Sequence, residues 1–201
     1  MMKHLVASDV FDDLYLHTHR VANNTKKELL IVGNQFKDTR RLTLSELKLY
    51  VERDIFLAIK DDRLPYLSFS IDVDENSNKF RGDLEITIDY LNGQVLNHEF
   101  INQTIRRNPT KVLEDEFFED NHGNLFSGLA LSVQHKIAQM LAAYNCEEYR
   151  LIDGRVIFFS ERFDYCVRFE RSYLKNLLRS VPMIEENQQF FLDYIVSGVS
   201  A

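Results

Sequence analysis

Six carboxylates lie within the stretch SFSIDVDENSNKFRGDLEITIDY at 68–90, and this density raises the question of metal chemistry. Asp72 and Asp74 alternate with apolar residues, and Asp89 stands in a second run of the same kind. Two Mg²⁺ ions held about 4 Å apart need bridging carboxylates of this sort. One hypothesis is therefore a metal-dependent enzyme that acts on nucleotides or phosphodiesters through Asp72, Asp74 and Asp89, with Glu85 as a further candidate ligand. No glycine-rich phosphate-binding loop accompanies these residues.

The same stretch also has features of a calcium-binding loop. When the loop pattern is counted from Asp72, its positions one, three, five and seven carry Asp or Asn, and Asp83 stands at position twelve. An EF-hand needs glycine at the sixth position and a bidentate glutamate at the twelfth, but the chain has Ser77 and Asp83 there. The flanking segments alternate as strands do, whereas an EF-hand needs helices. The sequence therefore argues against an EF-hand.

Strict alternation of apolar and polar residues predicts a hairpin of two half-buried strands at 66–74 and 83–90. Matching the apolar faces fixes the register, which pairs Val73 with Leu84, Ile71 with Ile86 and Phe69 with Ile88. On the other face the same register pairs Asp74 with Asp83, Asp72 with Glu85 and Ser68 with Asp89. Each facing acid pair costs about 0.2–1 kcal/mol. This negative charge must be offset by water, by nearby Lys79 and Arg81, by a basic partner or by a divalent cation.

Other candidate ligands depend on the predicted elements around them. The Asn92-Gly93 pair predicts a turn into a third strand at 95–101, in which His98 joins the apolar face opposite Ile88 as a structural histidine. A helix predicted at 8–24 places Asp9, Asp13 and His17 on one face, where ordinary capping charges explain them better than a metal does. The loop EDNHGN at 119–124 fits a turn as well as a ligand loop.

The remaining pattern predicts an α+β domain spanning 1–201, in which antiparallel meanders of about six to seven strands pack on amphipathic helices. We expect the element order α-β-α-βββ-α-βββ-αα. The clearest helix follows Thr43 and Glu46, which have capping-box spacing. Further helices are expected at 128–144, 172–180 and 184–197, strands at 28–33 and 163–169, and a hairpin around Asp153-Gly154. Two halves, 1–102 and 128–201, would be joined by an irregular and mobile segment at 103–127.

Composition narrows the class of protein. The 201 residues carry a net charge of −7, and residues 61–120 hold fourteen acids against six bases. This acidity argues against nucleic acid and anionic membranes as partners. Without a membrane-spanning run or a signal peptide, we expect a soluble, cytoplasmic protein. Cys146 and Cys166 are expected to be buried thiols. Five arginines, at 150, 155, 162, 168 and 171, form a modest basic strip that neighbouring acids nearly cancel.

The leading hypothesis is a non-catalytic binding or regulatory protein that engages a basic protein partner through an acidic sheet face and the following loop. We expect no cofactor other than a divalent cation on the acidic hairpin, with Asp72, Asp74, Glu85 and Asp89 as its candidate ligands. A homodimer and a structural subunit of a larger assembly are further alternatives. The expected partner-binding residues are Asp72, Asp74, Asp83, Glu85, Asp89, Glu114, Asp115, Glu116, Glu119 and Asp120.

Overall fold

A computed structural model describes residues 16–23, 26–78, 81–108, 111, 117–152 and 155–181. The chain is α+β, as the sequence predicts. Its strands are β1 (Leu16–Asn23), β2 (Lys26–Gly33), β3 (Leu67–Asn78), β4 (Arg81–Leu91), β5 (Cys146–Ile152), β6 (Arg155–Glu161) and β7 (Phe163–Phe169). Its helices are α1 (Phe36–Thr39), α2 (Leu44–Lys60), α3 (His98–Arg107), α4 (Phe117–Asp120), α5 (His122–Leu125), α6 (Gly128–Ala142) and α7 (Arg171–Arg179).

The strands form two sheets. The first has the order β1-β2-β5-β6, and all its neighbouring strands are antiparallel. The predicted hairpin around residues 153 and 154 is confirmed, because Ile152 pairs with Arg155 across them. The second sheet has the order β3-β4-β7. The two acid-bearing strands therefore lie side by side, as predicted, with β4 in the middle of the sheet.

By its contacts the chain divides into two compact units. Unit 1 comprises Met1–Arg63, Ser70–Thr87 and Lys136–Val167, and unit 2 comprises Leu64–Phe69, Ile88–His135 and Arg168–Ala201. Each unit draws on separate segments of the chain, whereas the predicted halves, 1–102 and 128–201, are contiguous. The expectation of a single domain stays a prediction.

The core of unit 1 is built on the inner face of α2. Thr43 and Glu46 form the predicted capping box, in which the Thr43 side chain accepts from the Glu46 backbone and Glu46 accepts from the Thr43 backbone. Four α2 residues at helical spacing are buried, together with apolar residues of β3, β4, α6 and β7: Leu47, Val51, Ile55, Ala58, Ile71, Leu84, Ile86, Ile137, Leu141 and Phe163. Gly33 is needed here, because a Cβ atom would lie 2.2 Å from the Ala143 carbonyl oxygen.

Unit 2 has a separate core, in which α3, α5, α6 and α7 contribute buried apolar residues. The Phe126 and Phe169 rings pack with their centroids 5.1 Å apart, and Phe100 stacks on Phe117 at 6.4 Å. The other main core residues are Ile88, Leu91, Leu96, Ile101, Ile105, Leu125, Val133, Leu174 and Leu178.

The predicted N-terminal helix at 8–24 is wrong for residues 16–23, which form β1. Leu16 pairs with Gly33 and Asn23 pairs with Lys26, so only two residues connect β1 to β2. A hairpin of this length pairs one side of β1 with β2, and this pairing outweighs the helical spacing of the apolar residues. His17 therefore lies in a strand, which removes the predicted helical face with Asp9 and Asp13. Those two residues lie outside the described part of the chain.

The predicted third strand at 95–101 is also wrong, because α3 begins at His98. Asn97 caps this helix, with its side chain accepting from the Phe100 backbone N–H at 3.2 Å. Ile101 and Ile105, four residues apart, are both buried, which is helical spacing. Gly93, at φ 132°, makes the predicted turn, but His98 does not join a sheet face opposite Ile88.

The segment at 103–127 is not irregular where the structure describes it. α3 continues to Arg107, and α4 and α5 occupy 117–120 and 122–125, with Leu125 fully buried. Its predicted mobility is not tested. The helix expected at 184–197 lies outside the described residues, whereas α7 and α6 confirm the helices expected near 172–180 and 128–144.

Candidate functional site

Four of the predicted partner-binding residues belong to unit 1 and lie on β3 and β4. Asp72 and Asp74 are exposed on β3, and Asp83 and Glu85 are half-buried on β4. We call these four residues the acidic strand surface. Their apolar neighbours Ile71, Leu84 and Ile86 are buried, so the predicted core face is confirmed on both strands. The predicted polar face is exposed on β3 but partly covered on β4, where Thr87 is only 8% exposed. The only basic residue within the bounds of these two strands is Arg81.

Two contacts describe how β3 and β4 lie against each other and against α2. A Cβ atom on Gly82 would lie 3.0 Å from Glu75 Cα and 2.5 Å from a methyl group of Leu44. Gly82 is therefore close to the residue that the predicted register places opposite it. Glu75 accepts hydrogen bonds from the Ser45 backbone N–H at 3.2 Å and from Ser45 Oγ at 2.9 Å. These bonds fix the acidic strands on the positively polarised first turn of α2.

Local hydrogen bonding differs among the four acids. Glu85 accepts from Thr87 Oγ1 at 3.2 Å, as expected for residues two apart on one face of a strand. Asp83 Oδ1 is buried and has no hydrogen-bond donor among the described residues. A buried acceptor left in this way costs about 1–3 kcal/mol.

The remaining predicted partner-binding residues do not belong to unit 1. Asp89 and Asp120 are exposed residues of unit 2, and Glu119 lies in α4 of the same unit. Glu114, Asp115 and Glu116 lie outside the described residues. Unit 2 also exposes two aromatic rings that the sequence did not single out. Tyr66 is 64% exposed and Tyr90 is 44% exposed, with their centroids 6.2 Å apart.

Two observations concern the predicted metal sites. Residues 72–78, the first part of the calcium-loop pattern, belong to β3 and are extended. Within the described ranges, no three or more His, Cys, Asp or Glu side chains come together in a way that could hold a metal ion. Asp72, Asp74, Glu85 and Asp89 stay candidate ligands by prediction alone.

The two cysteines do not fit the expectation of buried thiols. Cys166 is exposed and Cys146 is half-buried, and neither forms a disulfide bond. Burial raises the pKa of the Cys146 thiol, and the nearby carboxylates of Glu147 and Glu148 raise the pKa further. Cys146 is therefore protonated at neutral pH, which is unsuitable for a nucleophile.

The predicted basic strip contains one residue with a different role. Arg162 is half-buried, and its guanidinium donates to the carbonyl oxygens of Thr39, Leu42 and Tyr144, the last two at 3.1 and 2.9 Å. It also lies 5.6 Å from the centre of the Phe36 ring. Arg162 thus connects three segments of unit 1, and burial lowers its pKa. Arg150 pairs with Glu148 at 2.9 Å, in agreement with the predicted charge cancellation.

The outer side of α2 was missed by the sequence analysis. Leu49 is 63% exposed, Phe56 56%, Leu57 42% and Tyr50 39%, all in a helix whose other side is core. Arg53 lies over the Tyr50 ring at 5.1 Å. The sequence does contain the signal, since these residues repeat at seven-residue spacing, but the inner stripe alone was used to predict the helix.

A small cleft of about 180 Å³ lies beside α2, lined by Asn34, Gln35, Asp54, Leu57, Arg63, Met140 and Ala143. Small-molecule sites usually measure about 300–1,000 Å³. The cleft is therefore smaller than a typical site for a nucleotide or a cofactor.

In comparisons with known proteins, no family model, no curated protein and no solved structure matches the chain. Among the described residues, no helix has both the length and the apolar character required to cross a membrane.

Proposed function

We propose that the chain is a non-catalytic binding or regulatory protein that engages a basic protein partner through the acidic strand surface. The observation that carries the proposal is the pair of exposed carboxylates at Asp72 and Asp74, on a strand without a single lysine or arginine. A cationic partner would neutralise these charges and would meet a patterned row of oxygen acceptors. Where two proteins meet with complementary charges, those charges steer the encounter and orient the partner.

One feature of the surroundings supports a protein as the partner. The acidic strands rest on α2 through the Glu75–Ser45 hydrogen bonds, so the carboxylates stand on regular elements. Ligand groups on strands and helices are positioned more precisely than groups on loops.

The experiment compares two variants with the same change in net charge. The test variant carries Asp72→Asn, Asp74→Asn and Glu85→Gln. The control carries Asp38→Asn, Asp61→Asn and Asp62→Asn, all at exposed positions outside the proposed site. All six residues belong to unit 1. Proteins captured from extracts of the native host are identified by mass spectrometry at low and high salt.

We expect the wild type and the control to capture the same basic protein, with less captured at high salt because exposed charges are screened. The test variant should lose this protein while its circular dichroism and urea midpoint stay close to those of the wild type. If the test variant captures the partner as well as the control does, the acidic strand surface is not the binding site.

A further inference from the structure

The exposed residues of α2 form a stripe with a particular order. Between Glu46 and Lys60, every exposed position belongs to this stripe, which we call the α2 outer face: Glu46, Leu49, Tyr50, Arg53, Phe56, Leu57 and Lys60. Its length is about 21 Å at 1.5 Å per residue. Four of the seven side chains are large and apolar. Such a face is unusual in water unless something covers it.

The spacing of the stripe is symmetric about Arg53. Leu49 and Tyr50 precede Arg53 by four and three residues, and Phe56 and Leu57 follow it by three and four. The ends are symmetric in position but opposite in charge, since Glu46 stands seven residues before Arg53 and Lys60 seven residues after it. If two copies of α2 lie antiparallel with their Arg53 residues aligned, each apolar residue of the stripe faces an apolar residue and each acid faces a base.

We propose that the α2 outer face binds the same face of a second copy of this chain, with the two helices antiparallel about a two-fold axis at Arg53. Leu49 then opposes Leu57 of the second copy, and Tyr50 opposes Phe56. Glu46 opposes Lys60 at both ends, which gives two complementary pairs per dimer. A two-fold interface requires such self-complementarity, and a stripe repeating every seven residues suits helices that cross at about 20°.

The two Arg53 side chains would meet at the axis, and α2 already neutralises them. Arg53 Nη2 lies 2.9 Å from Asp54 Oδ1, and the guanidinium also lies over the Tyr50 ring. Each arginine therefore enters the interface already paired with Asp54 and placed over the Tyr50 ring. Arginine is among the residues enriched in interfaces for this reason.

The first test is the mass of the full chain in solution, measured by sedimentation and light scattering over a range of concentrations. We expect a monomer–dimer equilibrium for the wild type. Phe56→Asp places a charge in the middle of the apolar stripe and should abolish the dimer. Lys60→Glu makes both end pairs repulsive and should weaken dimerisation by about tenfold. Lys37→Glu, the same charge change at an exposed position of α1, should leave the dimer unchanged.

The second test restores the dimer by mixing. Glu46→Lys and Lys60→Glu proteins each carry like charges at facing positions and should be mainly monomeric alone. In a mixture, each facing position holds one acid and one base, so a heterodimer should form with close to wild-type affinity. Circular dichroism checks that α2 is intact in the Glu46→Lys protein, where Thr43 still accepts from the backbone N–H of residue 46.

Three results would overturn the proposal. The first is a wild-type chain that stays monomeric at every concentration, because another segment or another protein would then have to cover the α2 outer face. The second is a dimer that Phe56→Asp does not affect, because the dimer would then use a different surface. The third is a mixture that forms no heterodimer while the wild type dimerises, because Glu46 and Lys60 would then not face each other.

Discussion

The hydroxyl group of Tyr144 donates a hydrogen bond to Asp54 Oδ2, across 90 residues of sequence. Asp54 lies in the middle of α2, and its other oxygen accepts from Arg53. Tyr144 follows α6 and is 1% exposed. Burial raises the pKa of the Tyr144 phenol, and the Asp54 carboxylate raises the pKa further. One contact thus connects the helix that supports the acidic strands with the C-terminal end of α6.

Removing the Tyr144 hydroxyl group should destabilise unit 1. Tyr144→Phe keeps the ring and leaves the Asp54 oxygen without its donor, and a hydrogen bond to a charged group contributes about 1.5–3 kcal/mol. We expect a loss of this size in the free energy of unfolding in urea. Tyr66→Phe is the control, because the Tyr66 ring is mostly exposed. Equal stability of the two variants would show that the Tyr144–Asp54 bond contributes little.

Arg162 should not be replaceable by lysine. A single ammonium group cannot reach the carbonyl oxygens of Thr39, Leu42 and Tyr144 together, so Arg162→Lys leaves acceptors without donors. We expect a loss of about 2–4 kcal/mol in unfolding free energy. The same change at the exposed Arg106 should cost little. Hydrogen exchange of the amides near Thr39 and Leu42 would locate the effect, and unchanged protection there would contradict this role.

The cap of α7 should make stability depend on acid pH. The Glu170 side chain accepts from the Tyr173 backbone N–H at 2.7 Å and from the Ser172 hydroxyl group. These bonds lower the pKa of Glu170. Because the pKa is lower in the folded state, the contribution is complete above the ordinary glutamate pKa of about 4.3 and is lost as the pH falls below it.

Glu170→Ala should remove about 1 kcal/mol at neutral pH. Glu170→Gln keeps an acceptor without the charge, so it should flatten the acid limb of the stability curve. An acid limb identical to that of the wild type in both variants would exclude Glu170 as its source.

Tyr165 should contribute to unfolding at alkaline pH. Burial raises the pKa of Tyr165 to about 12, and the carboxylates of Glu147 and Glu161 add to the rise. A pKa that is higher in the folded state stabilises the fold below the ordinary value of about 10, and this stability is lost as the pH rises toward 12. Tyr165→Phe should make unfolding free energy less steep between these limits. A slope equal to that of the wild type would contradict the buried neutral phenol.

The sequence predicted the elements whose signals are local. The Thr43–Glu46 capping box and the buried stripe of Leu47, Val51 and Ile55 identified α2, because cap and periodicity agree there. The alternation from Leu67 to Tyr90 identified β3 and β4 because a half-buried strand must alternate. The separation of acids from core residues on these strands followed directly from that pattern.

The errors arose where two patterns competed. Phe11, Leu14 and Val21 fall near one helical stripe in the sequence. The antiparallel pairing of residues 16–23 with β2, which the stripe does not reveal, decides the structure of that segment. After Gly93, alternation suggested a strand, whereas the Asn97 cap together with Ile101 and Ile105 favours a helix. Asn97 is a favourable N-cap residue, so the sequence does contain a signal for this helix.

The sequence identified the acidic residues of the candidate site, but it could not predict how exposed each of them is in the sheet. Exposure of Asp72 and Asp74 follows from their strand faces, whereas half-burial of Asp83 and Glu85 reflects the central position of β4 in its sheet. Strand order depends on β7, which lies more than seventy residues further along the chain. The hydrogen bonds of Glu75 to Ser45 at the start of α2 could not be predicted either, because the two residues are 30 positions apart in the sequence.

The most direct test of the binding proposal is chemical cross-linking of the captured partner with a carbodiimide, which joins carboxylates to lysine amines without a spacer. Mass spectrometry of the cross-linked peptides identifies the carboxylates that touch the partner. We expect the peptide containing Asp72 and Asp74 to be joined to partner lysines, with less product as salt is increased. Cross-links confined to carboxylates elsewhere, such as Asp38, Asp61 or Glu99, would contradict the acidic strand surface as the binding site.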